Sequence, residues 1–159
     1  MSLLQNGKIF YNKTESFLGL DLGEKTLGIA ISRFGIIAQN LKTIVFHRHQ
    51  YHELIIPLKE IIEKFAITTI ILGYPKHMNN DIGIKARISS LFKLQIQKVY
   101  NLIEVILWDE RLSTKQAKLF IQKYFKKKIQ KKVKDEITAM IILQSFLHYR
   151  NNLIKEDTI

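Results

Sequence analysis

A lone aspartate stands near the start of the chain, where an apolar run meets a glycine turn. The run Phe17–Leu22 is apolar except for Asp21, and a second apolar run, Leu27–Arg33, follows the turn at Gly23. This pattern predicts a β-hairpin with a single carboxylate among hydrophobic neighbours. Aspartate is depleted in strands and costly to bury. We therefore expect Asp21 to have a partner, most simply a metal ion or a hydrogen-bond network.

Three further carboxylates adjoin apolar segments. Asp109 and Glu110 follow a short buried run, and Asp135 opens a long apolar stretch near the C-terminus. Oxygen ligands of this kind suit Mg²⁺ or Mn²⁺, and two such ions can promote hydrolysis of a phosphodiester. Taken singly, Asp135 is better explained as a helix cap, and Asp109 or Glu110 as the ion-pair partner of Arg111. In combination with Asp21, they favour a metal site.

The elements that would position these carboxylates follow from the spacing of apolar residues. Short alternating or β-branched runs predict five strands, and stripes at helical spacing predict the helices. In chain order these are strands Phe17–Leu22, Leu27–Arg33 and Ile36–Phe46, helix Tyr51–Phe65, strand Ile67–Leu72, helix Lys85–Tyr100, strand Leu102–Trp108, a helix capped by Ser113 or Thr114, and a helix from about Asp135 to Tyr149. Pro57 predicts either a kink in the first helix or a start near that residue.

This order of elements predicts an α/β domain with a mixed five-stranded sheet and helices on both faces. The first three strands form an antiparallel meander with a polar third strand at the edge, and the last two join by crossovers. That is the order of elements in a ribonuclease H-like domain. The first strand is then central, and ligands gather at the carboxyl ends of parallel strands. We therefore expect Asp21, Glu110 and Asp135 to meet at one edge of the sheet.

The composition limits the class of protein. The 159 residues suffice for one domain, which we expect at 17–150, between an extension at 1–16 and a frayed tail at 151–159. No window resembles a membrane span or a signal peptide, and there is no cysteine, as expected of a cytoplasmic protein without membrane contacts. The net charge of +11 favours nucleic acid or an anionic membrane as partner, although the lysine bias of an AT-rich genome explains the charge equally well.

Basic residues near the predicted acidic edge are candidates for binding substrate phosphates. They are Lys76, Arg87, Arg111, Lys127 and Lys131. Lys76 lies in a polar loop, Arg87 lies one turn into a helix, and Lys127 and Lys131 belong to a run of six lysines. The alternatives are an ordinary connecting loop, a solvated helix arginine and a solvated linker. The three histidines between residues 47 and 52 have no spacing that fits a zinc site.

Four motifs together resemble the YqgF (RuvX) family. From about residue 17 to residue 149, and in the family's order, they are Asp21-Leu-Gly-Glu-Lys-Thr-Leu-Gly-Ile-Ala-Ile-Ser32, Leu72-Gly-Tyr-Pro75, Asp109-Glu-Arg-Leu-Ser-Thr114, and Asp135-Glu-Ile-Thr-Ala139 with Ile142-Leu-Gln-Ser-Phe-Leu147. The resemblance implies that Asp21, Glu110 and Asp135 form the acidic set of a ribonuclease H-like nuclease. Asp109 is then either an accessory ligand or a partner of Arg111.

The function that this resemblance implies is processing of the 5′ end of the 16S ribosomal RNA precursor in a bacterium. RNA and the ribosome-assembly machinery would be its partners, with Mg²⁺ or Mn²⁺ as cofactor. A Holliday junction (branched DNA) resolvase is the closest alternative, because it uses the same metal chemistry. A non-catalytic RNA-binding module of ribosome assembly is the second. An ATP-binding fragment of the actin/hexokinase type is disfavoured, because that fold repeats the domain and needs far more residues.

Overall fold

The computed structural model describes residues 3–5, 8–10, 15–75, 83–112, 115–125 and 134–157. The strands are β1 (Leu3–Gln5), β2 (Lys8–Phe10), β3 (Phe17–Leu22), β4 (Thr26–Ser32), β5 (Gln39–Val45), β6 (Thr69–Tyr74) and β7 (Glu104–Asp109). The helices are α1 (Ile55–Lys64), α2 (Ile84–Val99), α3 (Lys115–Phe125) and α4 (Lys134–Glu156), with short 3₁₀ turns at Tyr51–Leu54 and Glu110–Leu112. β1 pairs only with β2 in the described sheets, and the other five strands form the central sheet.

β3 is the central strand of this sheet. The strand order is β5-β4-β3-β6-β7. β3, β4 and β5 are antiparallel neighbours, whereas β6 lies parallel to β3 and β7 lies parallel to β6. The predicted meander, its polar edge strand and the mixed five-stranded sheet are therefore confirmed. Because β3, β6 and β7 run in the same direction, their carboxyl ends lie at one end of the sheet.

Helices cover both faces of the sheet, as the pattern predicts. On one face, Leu18 and Leu20 of β3 pack with buried residues of α1 and α2 such as Phe92. On the other face, Ile71 of β6 packs with buried residues of α3 and α4. Successive side chains along a strand point to opposite faces. Asp21 therefore lies on the face that α4 covers.

The close approach of α4 to β3 depends on a glycine. A β-carbon added at Gly19 would lie 2.6 Å from Cβ of Leu143 and 3.0 Å from the carbonyl oxygen of Ala139. Further back along β3, the ring of Phe17 lies 6.2 Å from that of Phe146. Earlier residues of β3 thus contact later residues of α4, so the two elements run in opposite directions. The first turn of α4 consequently lies toward the carboxyl end of β3.

The connection between β4 and β5 bends away from the sheet, so the predicted strand starts later than expected. The prediction begins at Ile36, whereas β5 begins at Gln39. The buried Gln144 of α4 takes the hydrogen bonds of this segment: its Nε2 donates to the carbonyl of Ile36 (3.0 Å), and its Oε1 accepts from the amide of Ala38 (2.8 Å). Backbone groups that bond to a helix side chain are not available to a neighbouring strand.

Both ends of the chain hold more structure than the pattern indicated. β1 and β2 were not predicted within residues 1–16, and α4 continues past the predicted end at Tyr149. Asn151 helps to hold this last part of α4, because its Nδ2 donates to the carbonyl of Gly35 (3.1 Å). Pro57 lies in the first turn of α1, where its missing amide costs no helical hydrogen bond.

Candidate active site

The carboxylate of Glu110 and the backbone that precedes Asp21 both lie near Gly73, at the carboxyl end of the parallel strands. Leu20 pairs with Leu72 of β6, and the next residue of β6 is Gly73. A β-carbon added at Gly73 would lie 2.7 Å from Oε1 of Glu110 and 3.4 Å from the carbonyl oxygen of Leu20. The carboxylate of Glu110 therefore lies over Gly73, beside the peptide that joins Leu20 to Asp21. The backbone next to Asp21 thus lies beside the Glu110 carboxylate, and the approach of the two carboxylates to each other stays a prediction.

Gly73 makes room for this carboxylate. Besides Oε1 of Glu110, Cδ1 of Ile142 lies 2.7 Å from where a β-carbon would be, so no side chain fits without displacing one of them. The sequence predicted Gly73 only as the end of a buried strand. Its role at the site follows from its contact with Glu110, which lies in the turn that follows the neighbouring strand β7. Spacing along the chain does not reveal such a contact.

The surroundings of Glu110 make its charge costly when no cation is bound. Burial raises the pKa of this carboxyl group, and the nearby Asp109 raises it further, whereas Lys85 lowers it. Burial is the largest of these effects, because a carboxylate loses hydration energy in a low-dielectric environment. Lys85, in the first turn of α2, was not among the predicted binding residues. In the sequence, Lys85 is a basic residue two positions before Arg87. That spacing alone does not show which of the two lies nearer to Glu110.

Asp109 is the partner of Arg111. Its Oδ1 accepts from the amide of Arg111 (3.0 Å), and its Oδ2 accepts from Nη2 of the same guanidinium (2.7 Å). Hydrogen bonding to Asp109 raises the pKa of Arg111. The guanidinium of Arg111, a predicted substrate contact, is therefore already paired with a carboxylate.

Asp135 lies in the first turn of α4. It precedes Ala139 by four residues, so both occupy the same side of the helix. Ala139 contacts β3 at Gly19, and α4 runs opposite to β3. The backbone therefore brings the position of Asp135 to the end of the sheet that holds Asp21. The side chain of Asp135 lies outside the described part of the chain, so convergence of all three acids stays a prediction.

The other residues that were predicted to bind substrate are Arg87, Lys76, Lys127 and Lys131. Arg87 is exposed on α2. Lys76 with its loop, the helix cap at residues 113–114, and the lysine run with Lys127 and Lys131 lie outside the described residues. His47 pairs with Glu53 at 2.8 Å. Within the described ranges, no group of three or more histidine, aspartate or glutamate side chains is placed to hold a metal ion.

The order of the strands and helices defines a class of fold, the ribonuclease H-like fold. Among solved structures, the chain is similar to Thermus thermophilus RuvC in complex with a Holliday junction substrate, with a TM-score of 0.65, 12% identity, and coverage of 87% of this chain and 96% of that one. It is also similar to the yeast mitochondrial Holliday junction resolvase Ydc2, with a TM-score of 0.53, 13% identity, and coverage of 89% and 84%. At such identities the likeness concerns the fold alone.

Within this class, the chain belongs to the RuvX (YqgF) family. A family model described as "RuvX: Holliday junction resolvase" matches residues 15–149. A relative from Onion yellows phytoplasma (strain OY-M) is 62% identical over 133 residues, covering 83% of this chain and 88% of the relative. One from Bacillus subtilis (strain 168) is 40% identical over 136 residues, covering 84% and 98%. Both are provisionally named pre-16S rRNA nucleases. The resemblance read from the four motifs is confirmed.

Hydropathy along the helices adds one further finding. In the described part of the chain, no helix combines the length and apolar character needed to cross a membrane.

Proposed function

We propose that this protein is a metal-dependent endonuclease that processes the 5′ end of the 16S ribosomal RNA precursor in the cytoplasm. The observation that carries the proposal is the position of the Glu110 carboxylate, which lies over Gly73 and against the Leu20–Asp21 peptide. A desolvated carboxylate beside a second acid is the arrangement that a cation-dependent phosphodiesterase requires. The names of the relatives support RNA as the substrate.

The residues present fit Mg²⁺ or Mn²⁺. Asp21, Glu110 and Asp135 offer only hard oxygen donors, which these ions prefer. The carboxylate of Glu110 lies directly over Gly73, and burial raises the pKa of that carboxyl group, as expected of a group that a cation would stabilise. When bound, the ions supply an activated water and neutralise charge on the phosphodiester. In this proposal the ligands come from three different elements, β3, the turn after β7 and the first turn of α4.

Lys85 is proposed to bind the phosphate next to the cleaved bond. It lies close enough to Glu110 to lower the pKa of that carboxyl group, so its ammonium shares the field of the acids. An ammonium near carboxylates can attract the anionic substrate and favour the ionised form of Glu110. Lys76, Arg87, Arg111, Lys127 and Lys131 are proposed as further contacts to the RNA backbone, with Arg111 the weakest because Asp109 already binds its guanidinium.

Cleavage of a branched DNA junction is the second candidate function. It is favoured by the description of the matching family model, which names a Holliday junction resolvase. The same carboxylates would serve both substrates, because the chemistry at the phosphodiester is shared. A non-catalytic RNA-binding role is less well supported, since such a role gives no reason for a desolvated carboxylate at the end of the sheet.

The test compares the two substrates under identical conditions. Purified protein is incubated with the 5′ region of the precursor RNA and with a four-way DNA junction, each in Mg²⁺, Mn²⁺ or chelator. We expect the RNA to be cut at a defined 5′ position with metal only, and the junction to stay intact. Preferential cutting of the junction would favour the resolvase. Tight RNA binding with no cleavage in any metal would favour the non-catalytic role.

A matched pair of variants then tests the role of Lys85. Lys85→Gln is compared with Arg87→Gln, which removes a positive charge two residues away in the same helix. We expect Lys85→Gln to lower kcat/KM about tenfold, the usual order for one charge-assisted hydrogen bond, and Arg87→Gln to lower it less. Equal effects would mean that α2 contributes only a diffuse positive potential.

A further inference from the structure

We propose that the bend between β4 and β5 is a second RNA contact, a cleft that takes one unpaired nucleobase. The proposal rests on RNA being the substrate, but it concerns a place apart from the carboxylates. The cleft has a volume of about 230 Å³ and is lined by Ser32, Arg33, Phe34, Ile36, Ile37 and Gln39. None of these residues has a part in the proposed hydrolysis.

The cleft lies at the opposite end of the β3–β4 ladder from the acids. Ser32, at its edge, pairs with Phe17 at the amino end of β3, whereas Asp21 pairs with Gly28. Phe17 and Asp21 are four residues apart along β3, a distance of about 13 Å. A single RNA strand held at the acids can therefore reach the cleft within a few nucleotides. Such a contact would position the strand without touching the reacting phosphate.

The cleft combines an exposed aromatic ring with positive charge. The ring of Phe34 is 55% exposed. The guanidinium of Arg33 and the ammonium of Lys64 lie 5.3 Å and 5.4 Å from the ring centroid of Phe65 nearby. Among the described residues, no ion pair is found for either cation. Proteins that bind single-stranded RNA stack unpaired bases on aromatic rings and contact the adjoining phosphates with cations.

Hydrogen bonds from α4 hold the backbone of the bend, so Phe34 is kept at an exposed position. Gln144 is fully buried and bonds to Ile36 and Ala38, and Asn151 bonds to the carbonyl of Gly35. Three hydrogen bonds from α4 thus hold a bend whose outer side chains contact solvent. A rigid platform loses little conformational entropy when a base stacks on it, which favours binding.

A nucleobase uses all parts of the cleft, whereas an aliphatic side chain does not. The flat face of a base matches the ring of Phe34, and its polar edge matches the amide of Gln39, which is exposed at the start of β5. An adjoining phosphate matches Arg33, which lines the cleft. An apolar protein side chain would contact the ring but would make no hydrogen bond to the amide of Gln39.

The test measures RNA affinity in chelator, where no hydrolysis occurs. A labelled single-stranded RNA and a blunt RNA duplex are titrated with wild type, Phe34→Ala and the control Leu102→Ala, which truncates a side chain that is 94% exposed elsewhere. We expect Phe34→Ala to weaken binding of the single strand about 5- to 150-fold, the range for loss of one stacked base. The control and the duplex should be unaffected.

Two more variants separate stacking from apolar contact. Phe34→Trp should keep the affinity of wild type, and Phe34→Leu should lose as much as Phe34→Ala, because leucine has no aromatic face. Trp108 is the only native tryptophan and is buried, so Phe34→Trp also adds an exposed reporter whose fluorescence should be quenched by the RNA.

The outcomes separate this proposal from the proposed function. Unchanged affinity of Phe34→Ala, or full affinity of Phe34→Leu, would overturn the base cleft and leave the nuclease assignment intact. Absence of RNA binding by wild type, with cleavage of the DNA junction retained, would overturn both the RNA substrate and the cleft. Thermal melts matching wild type confirm that the variants at this exposed position are folded.

Discussion

The two ends of the β3–α4 pair differ in how their charged side chains are partnered. At the amino end of β3, Arg150 of α4 pairs with Glu15, and its guanidinium lies 4.9 Å from the ring centroid of Phe17. Gln144 adds two hydrogen bonds to the neighbouring bend. At the carboxyl end, Glu110 is partly buried with its pKa raised, over a glycine that leaves space. At one end a guanidinium pairs with a carboxylate of the same chain, and at the other a partly buried carboxylate is the group that we propose binds a cation.

This difference predicts which substitutions should affect stability and which should affect activity. Substitutions at the amino end remove interactions that the folded chain makes with itself, so they should lower the free energy of unfolding. Substitutions at the carboxyl end remove a group whose charge is costly in the free protein, so they should lower activity with little loss of stability. Paired measurements of stability and cleavage on single variants test that separation.

Asp21→Asn should abolish cleavage while the fold is kept. The substitution preserves volume but removes the charge that would hold a cation, which is worth several kcal/mol in the transition state, or at least about a hundredfold in rate. Single-turnover cleavage of the precursor RNA in Mn²⁺, with thermal melts alongside, measures both properties. Asp109→Asn is the control, with a milder expected loss because Asp109 binds Arg111. Full activity in folded Asp21→Asn would refute the mechanism.

Gln144→Leu should have the opposite character. Removing the buried amide leaves the backbone groups of Ile36 and Ala38 without their partner, so the free energy of unfolding should fall by about 3 kcal/mol. Denaturant unfolding measures this change. Cleavage of a short RNA at low temperature, where the variant stays folded, should be close to wild type. Asn151→Ala, which removes a single hydrogen bond to the same bend, should cost about 1 kcal/mol.

Two glycine substitutions compare the close contacts along the same face. Gly19→Ala forces a β-carbon against Leu143 and should destabilise the fold by about 1–3 kcal/mol, with activity returning on cooling. Gly73→Ala forces one against Glu110 and should reduce activity more than its melting temperature explains. Paired melts and single-turnover rates give the result. If both variants lost activity only in proportion to stability, Gly73 would be a packing residue alone.

The smallest expected effect concerns His148 on α4. Burial lowers the pKa of His148, and its ring packs edge-on against Phe120 of α3. A lowered pKa means that the folded state binds fewer protons than the unfolded state, so stability is lost as the pH falls below the ordinary histidine value of about 6.5. His148→Gln should therefore lose less melting temperature than wild type between neutral pH and about pH 5. An unchanged pH slope would contradict this.

Patterns along the chain predicted the sheet well. The five central strands follow from short runs of apolar residues, several of them buried on both faces, and the polar residues of the third strand predicted its edge position. The antiparallel meander and the central position of β3 follow from the order of the elements. The lone Asp21 was visible because it interrupts an apolar run. Asp109 stayed ambiguous between a ligand and a partner of Arg111, and the geometry of the turn after β7 made it the partner.

Other features depended on contacts between distant residues. Residues 36–38 were predicted as part of a strand that begins at Ile36, because they are apolar and Gln144 lies more than 100 positions away in the chain. The space at Gly73 depends on Glu110 and Ile142, which belong to other elements. Lys85 became a candidate only when α2 brought it near Glu110. None of these pairs has a fixed separation in sequence, so no local pattern encodes them.

The sequence by itself determined the elements, their order and the list of acids, because periodicity and residue type act over a few neighbouring positions. Only the tertiary structure decided which acids share an environment and which backbone groups are held by α4. Burial and electrostatic interaction depend on distance in space, and folding brings together residues such as Glu110, Gly73 and Lys85 that the chain keeps apart.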